Sequence, residues 1–123
     1  MTTDLLVMTL NEIDGFKKIM PEIKKEWVDN IVIVDGGSTD GTIEQAKKMG
    51  FKVIKQKIQG YGGAIISGVD ETNNENIVIF SPDGNHYPDE IRQLVEKIKN
   101  GSDQIVISRF EKNNLKILAA KLI

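Results

Sequence analysis

The sequence predicts an α/β domain built on a doubly wound, mostly parallel sheet of about five strands with helices on both faces. Three observations predict it. Short β-branched runs alternate with segments of helical periodicity along almost the whole chain. The run Ile31-Val32-Ile33-Val34 is apolar at every position, as a central parallel strand covered by helices on both sides requires. Nearly all the unusual polar and glycine clusters directly follow a predicted strand, where open parallel sheets bind ligands.

Asp4 to Thr9 reads as a first buried strand. After it Phe16, Ile19, Met20 and Ile23 fall at helical spacing, interrupted at Pro21. Ile31 to Val34 is the second strand. Thr42 to Met49 is a short helix closed by Gly50, which suits the left-handed position beyond a helix end. Phe51 to Lys55 is a third strand, and the lysines at 52, 55 and 57 around Val53 to Ile58 read as an exposed strand end. Gly60 to Val69 is helical after a glycine-rich start, Asn76 to Phe80 a fourth strand, Pro88 to Lys99 a helix, and Gln104 to Ser108 a fifth strand. In the tail, Leu115, Leu118, Ala119 and Leu122 form an apolar stripe at helical spacing. The expected division is therefore an α/β unit over 1–110 followed at 111–123 by an amphipathic helix.

The 123 residues, 40% apolar and 28% charged, suit one globular domain without linker or repeat. The absence of cysteine excludes disulfide scaffolds, thiol catalysis and cysteine-ligated zinc. A net charge of -2 supplies no electrostatic footprint for a nucleic-acid partner. No apolar run approaches the roughly 20 residues that cross a bilayer, and no basic segment precedes the first apolar stretch, so the expected location is cytoplasmic. The tail stripe leaves room for a peripheral membrane contact or a homodimer formed through that helix.

The loops carry the chemistry. Asp35 closes a buried strand, where a carboxylate is costly unless a donor bonds to it, and a ribose hydroxyl or base N–H would serve. The following Gly36-Gly37-Ser38-Thr39-Asp40 would also suit a plain strand-to-helix turn. Gly60-Tyr61-Gly62-Gly63 could cradle a phosphate or base, or merely let a helix pack closely; Ile65 departs from the dinucleotide fingerprint. Ser81, Asp83 and Asn85 point the same way if the chain is extended, and three oxygen donors suit magnesium or manganese held with substrate phosphates, although Pro82-Asp83-Gly84 is also a common turn. His86, the single histidine, reads as a loop or packing residue. Arg109 could clamp an anion at the same crevice or be a solvated loop cation.

In this order and spacing, LNE at 10–12, NIVIVDGGSTDGT at 30–42, GYGGAI at 60–65, VIFSPDGNHYPDEI at 78–91 and IVISRF at 105–110 resemble the nucleotide-binding half of family 2 glycosyltransferases of the GT-A fold. The similarity is greatest to the branch of dolichyl-phosphate mannose synthases and polyprenyl-phosphate sugar transferases. That resemblance implies metal-assisted, inverting sugar transfer from a GDP- or UDP-sugar to a polyprenyl phosphate. It implies that Asp35, Asn11, Glu12 and Asp40 surround the nucleoside, with Gly60, Gly62 and Gly63 along the same pocket. Asp83 matches the second acid of the D-x-D element and Asn85 the amide after it, both toward the metal, and Asp83 and Arg109 stand as the catalytic candidates, Arg109 near a phosphate. Three positions depart from the family pattern: Ser81 replaces the first acid of the metal element, Met8 a proline, and Gly36 an acid. The resemblance further implies that residues 1–110 are the nucleotide-sugar-binding unit and that the family domain continues into an acceptor-binding half, of which 111–123 would be the start if they are not an amphipathic helix. Ser81 and the missing half keep a second expectation open, a catalytically degenerate nucleotide-sugar-binding module or an interaction protein.

Overall fold

A computed structural model describes residues 3–72, 76–82, 88–99, 104–109 and 115–121. The elements are β1 (Thr3–Thr9), α1 (Ile13–Ile19), β2 (Asn30–Asp35), α2 (Thr42–Lys48), β3 (Lys52–Lys55), α3 (Gly60–Asp70), β4 (Asn76–Phe80), α4 (Asp89–Lys99), β5 (Gln104–Arg109) and β6 (Leu115–Lys121). Single turns of 3-10 helix at Met20–Glu22 and Lys25–Trp27 lead from α1 to β2, the first beginning beside Pro21, where the α-helical pattern breaks.

The six strands lie in the order β3-β2-β1-β4-β6-β5. β1 pairs in parallel with β2 and β4, and β2 with β3. The strand order therefore reverses between β1 and β4, and a crevice forms at the carboxyl end of such a reversal because the connecting loops leave in opposite directions.

Alternation along the central strands builds two cores. Leu5, Val7, Ile33, Val78 and Phe80 face one side, with Phe16 and Ile19 of α1, Ala46 of α2, and Ile91, Leu94 and Val95 of α4. Leu6, Met8, Val32, Val34, Ile77 and Ile79 face the other, covered by Ala64 of α3 with Ile65 and Val69 at its margin. Both faces of β1, β2 and β4 are thus apolar because both are covered, and each side chain fully buried there contributes about 1.5–3 kcal/mol.

α3 covers its face only by coming very close to the sheet. A Cβ on Gly68 would lie 2.6 Å from Leu6 Cδ1, and one on Gly63 would lie 2.0 Å from the Ile58 carbonyl oxygen. Close helix packing on the sheet accounts for Gly68, and the tight entry of the chain from Ile58 into α3 accounts for Gly63.

The tail corrects one expectation. Residues 115–121 form β6, not an amphipathic helix, and β6 runs antiparallel between β4 and β5. A short apolar run is ambiguous between the two periods, and here the open edges of β4 and β5 supply backbone partners on both sides that a helix would leave unpaired. Homodimerisation or membrane contact through a tail helix therefore loses its structural basis. The sheet has six strands where about five are expected, the added one being the antiparallel β6. Among the described residues no helix is long and apolar enough to cross a membrane.

Candidate functional site

The loops after β1 and β2 are tied together by side-chain bonds to backbone. Thr9 and Asp35 are register partners at the ends of the two strands, and Thr9 Oγ1 donates to Asp35 Oδ2 at 2.7 Å. The Ser38 hydroxyl donates to the same oxygen at 2.6 Å, while Asp35 Oδ1 accepts the N–H groups of Gly37 (2.8 Å) and Ser38 (2.7 Å). Four donors fill about the four lone-pair sites of one carboxylate. Burial by itself raises the Asp35 carboxyl, but the bonds from Ser38, Thr9 and Gly37 outweigh it and hold the group below the usual carboxylate range. The donor that this buried acid needs is thus provided by its own loop, whereas the sequence reading looks for it in a ligand.

Asn11 and Asp40 act similarly across the gap. Asn11 takes a positive φ of 52°, donates its N–H to Ser38 Oγ at 2.8 Å, and accepts the Thr39 N–H on Oδ1 at 2.8 Å. Asp40 accepts the N–H groups of Ile13 and Thr42, each at 3.0 Å, and the Thr42 hydroxyl. The Thr42 hydroxyl, with those N–H groups, keeps the Asp40 carboxyl below its ordinary value. The Glu12 N–H donates to Thr42 Oγ1 at 3.2 Å.

This braced pair of loops forms one wall of a cavity of about 300 Å³ at the carboxyl ends of the strands. Met8, Thr9, Leu10 and Glu12 line it from the β1 side and Gly36 from the β2 side. Gln56 and Gln59 contribute from the loop after β3, Gly60, Tyr61 and Ala64 from the start of α3, and Ser81 from the end of β4. The volume lies at the lower end of the range for small-molecule sites. Burial raises the Tyr61 phenol. A second cavity, of about 200 Å³, lies at the opposite end of the sheet beside Asn30 and Phe51, away from the strand reversal.

Of the sequence-selected residues, Glu12, Gly60 and Ser81 line the larger cavity; Asn11, Asp35 and Asp40 stand behind its wall as braces. Gly60 enters α3 with φ +88°, Gly62 would meet nothing within 4 Å of an added Cβ, and Gly63 is a packing glycine. Asp83, Asn85 and His86 lie outside the described residues. Arg109 is the last residue of β5, in register with Leu115, and is separated from β4 by β6. Among the described residues no group of three His, Asp or Glu side chains could hold a metal.

Sequence reasoning misses three contributors. Gln56 reads as part of an exposed strand end, although an uncharged amide between Lys55 and Lys57 at a strand terminus is a signal. Leu10 is 57% exposed beside the cavity. Gly15 carries the approach of α1 to the loop after β4: a Cβ there would lie 2.1 Å from the Pro82 carbonyl oxygen and 3.6 Å from Glu12 Oε2. No spacing marks that glycine.

An open α/β sheet of this strand order, with its loops braced around a crevice at the reversal point, is a doubly wound domain with a cavity where such sheets bind their ligands. The family model for Glycosyl transferase family 2 matches residues 5–121, and the chain belongs to that family. The matched span includes β6. A dolichol-phosphate mannosyltransferase of Pyrococcus furiosus is 32% identical over 91% of this chain and 34% of its own length. A UDP-N-acetylglucosamine–dolichyl-phosphate N-acetylglucosaminyltransferase of Methanococcus voltae is 31% identical over 89% of this chain and 52% of its own. The chain thus spans about half or less of the length of these curated relatives. Glucosyl-3-phosphoglycerate synthase from Mycobacterium tuberculosis, crystallised with Mn2+, UDP and phosphoglyceric acid, shares the fold with a TM-score of 0.77 at 22% identity, over 91% of this chain and 44% of that one.

Proposed function

We propose that the larger cavity binds the nucleotide of a nucleotide-diphosphate sugar, GDP- or UDP-linked, and that the domain serves transfer of the sugar to a polyprenyl phosphate. The observation that carries this reading is the position of the cavity, at the β1/β4 reversal and bounded by the loops whose motifs match the family. The names of the Pyrococcus and Methanococcus relatives support the acceptor class.

In this reading Asn11, Asp35 and Asp40 hold the two nucleoside loops in place, and Glu12 and Gly60 meet the donor, with Gly62 and Gly63 in the supporting helix turn. Ser81, Asp83 and Asn85 would hold magnesium or manganese. Ser81 lines the cavity, and the Glu12 carboxylate lies near Gly15, which packs on Pro82, so the described part of this corner carries the oxygen donors that a hard cation takes. When bound, the cation neutralises charge on the departing diphosphate. A phosphate oxygen of the acceptor attacks the anomeric carbon from the face opposite the diphosphate; the new C–O bond forms as the bond to the diphosphate breaks, with inversion. An acceptor phosphate is already ionised at neutral pH, so the chain needs no general base. Arg109 would complement phosphate charge.

Ser81 favours a second reading, in which the same site binds the donor without transferring the sugar, because one negative ligand is lost from the metal set. Thermal melts with GDP, UDP and their sugars, with and without manganese, test the binding. Ligand at 100 times its Kd adds about 2.7 kcal/mol, a rise on the order of 10 °C in Tm for a domain near this size. No shift with any nucleotide defeats both readings, and transfer of labelled sugar to a polyprenyl phosphate separates them.

A further inference from the structure

Gln56 is held by more bonds than its exposed surroundings require. Its backbone N–H donates to the Asp35 carbonyl at 2.9 Å. Its side-chain Nε2 donates to the carbonyls of Ile58 at 2.9 Å and Gly60 at 3.1 Å. Two carbonyl partners fix which end of the amide is nitrogen, since an oxygen there would face two acceptors. Both Nε2 hydrogens are spent, and Oε1 is left as an acceptor in the wall of the cavity.

Oε1 lies beside a bare stretch of backbone. A Cβ on Gly36 would lie 3.1 Å from Gln56 Oε1 and 3.4 Å from Leu10 Cδ1, so a side chain at 36 would crowd both. Leu10 and Tyr61, 57% and 46% exposed, present apolar surface to the same space. An oriented acceptor next to apolar walls suits a flat heterocycle with an N–H on its edge.

We infer that Gln56 is the base-reading residue of this cavity, accepting the ring N–H of uracil or guanine on Oε1. This rests on the nucleotide-binding function proposed above, with its GDP- or UDP-linked donor, and adds the residue that meets the base edge. Adenine is normally read by a glutamine through two bonds, Oε1 accepting from the exocyclic amine and Nε2 donating to a ring nitrogen. Here Nε2 has no hydrogen left to donate, so that paired contact is closed, and Oε1 supplies a single bond to the base edge. The uracil N3–H or guanine N1–H of the proposed donor nucleotides can make that bond.

The test is calorimetric titration of the wild-type chain and Gln56→Leu with UDP and GDP, and with N3-methyl-UDP and N1-methyl-GDP. The wild type should bind UDP or GDP and lose about three- to tenfold when the ring nitrogen is methylated, the worth of one neutral hydrogen bond. Gln56→Leu should lose a similar factor for the parent nucleotide and show no further loss on methylation. A purely structural role would weaken parent and methylated nucleotides equally and keep their ratio, which overturns the inference while leaving nucleotide binding standing. Equal wild-type affinity for the parent and methylated forms overturns it without any variant, so a misfolded Gln56→Leu does not block the decision. Failure of the wild type to bind any nucleotide removes the proposed function and this inference together.

Discussion

The Thr9 hydroxyl and the Asp35 carboxylate face each other across the last register pair of β1 and β2, both residues buried and 2.7 Å apart at Oγ1 and Oδ2. The bond joins the ends of two parallel strands where regular pairing stops and the site loops begin. Asp35→Ala should destabilise the domain by about 2–3 kcal/mol, because the Thr9 hydroxyl and the loop N–H groups lose a charged acceptor. Thr9→Val, which removes one of four donors, should cost less. Urea midpoints measure both, and titration of the folded Asp35→Ala chain should show weaker nucleotide binding with and without manganese.

The same carboxylate makes stability depend on acid. Its native pKa lies below the 3.8 of an unperturbed aspartate, so the unfolded chain takes up the proton first as pH falls. Its contribution is whole above about pH 5 and is lost as pH drops through the depressed native value. Asp40 and Asp89 shift in the same direction, through Thr42 and Arg92 respectively, so the wild-type curve alone does not isolate Asp35. The gap in urea midpoint between wild type and Asp35→Ala should stay constant from about pH 7 to about pH 5 and narrow toward pH 3. A gap that widens in acid would contradict the assignment.

Gly62 and Gly63, neighbours in α3, should respond in opposite directions. Gly62→Ala adds a methyl to open space in a helix and should stabilise by about 0.4–1 kcal/mol. Gly63→Ala drives its Cβ toward the Ile58 carbonyl oxygen and should destabilise by about 2 kcal/mol or more, since backbone must move. Thermal melts of the two variants decide the point.

Gly15→Ala tests the contact between α1 and the loop after β4. A Cβ there meets the Pro82 carbonyl, and the displacement should cost about 1–3 kcal/mol. Ser81 adjoins Pro82 and lines the cavity, so the variant should also bind nucleotide more weakly, read by titration under conditions where it remains folded.

For the metal element, Asp83→Ala should abolish the manganese-dependent part of nucleotide binding, and Ser81→Asp should strengthen it by adding a negative ligand. Manganese titration in the presence of UDP or GDP reads both effects. An unchanged manganese response in Asp83→Ala would move the cation elsewhere.

The strands and helices through α4, the positions of the site loops and the family were legible in the primary structure. Each depends on local periodicity, turn chemistry or motif spacing, and the buried runs of β1, β2 and β4 are apolar at nearly every position because both sheet faces are covered. Glu12, Gly60 and Ser81 were legible as cavity residues for the same reason: they lie on the connections that leave the strand ends.

What tertiary structure alone decided depends on partners distant in the chain. Residues 115–121 become a strand because β4 and β5 offer two unpaired edges, a demand that helical spacing of leucines does not reveal. Asp35 gains its fourth donor because Thr9, 26 residues earlier, is brought opposite it by strand register. Gln56 becomes an oriented acceptor through the carbonyls of Ile58 and Gly60 and the lack of a side chain at Gly36, where one would crowd Oε1. The sequence by itself determined the kind of sheet and which of its ends carries the site; the identities of brace, spacer and exposed acceptor were decided by hydrogen-bond saturation and steric contact, which exist only once the chain is folded.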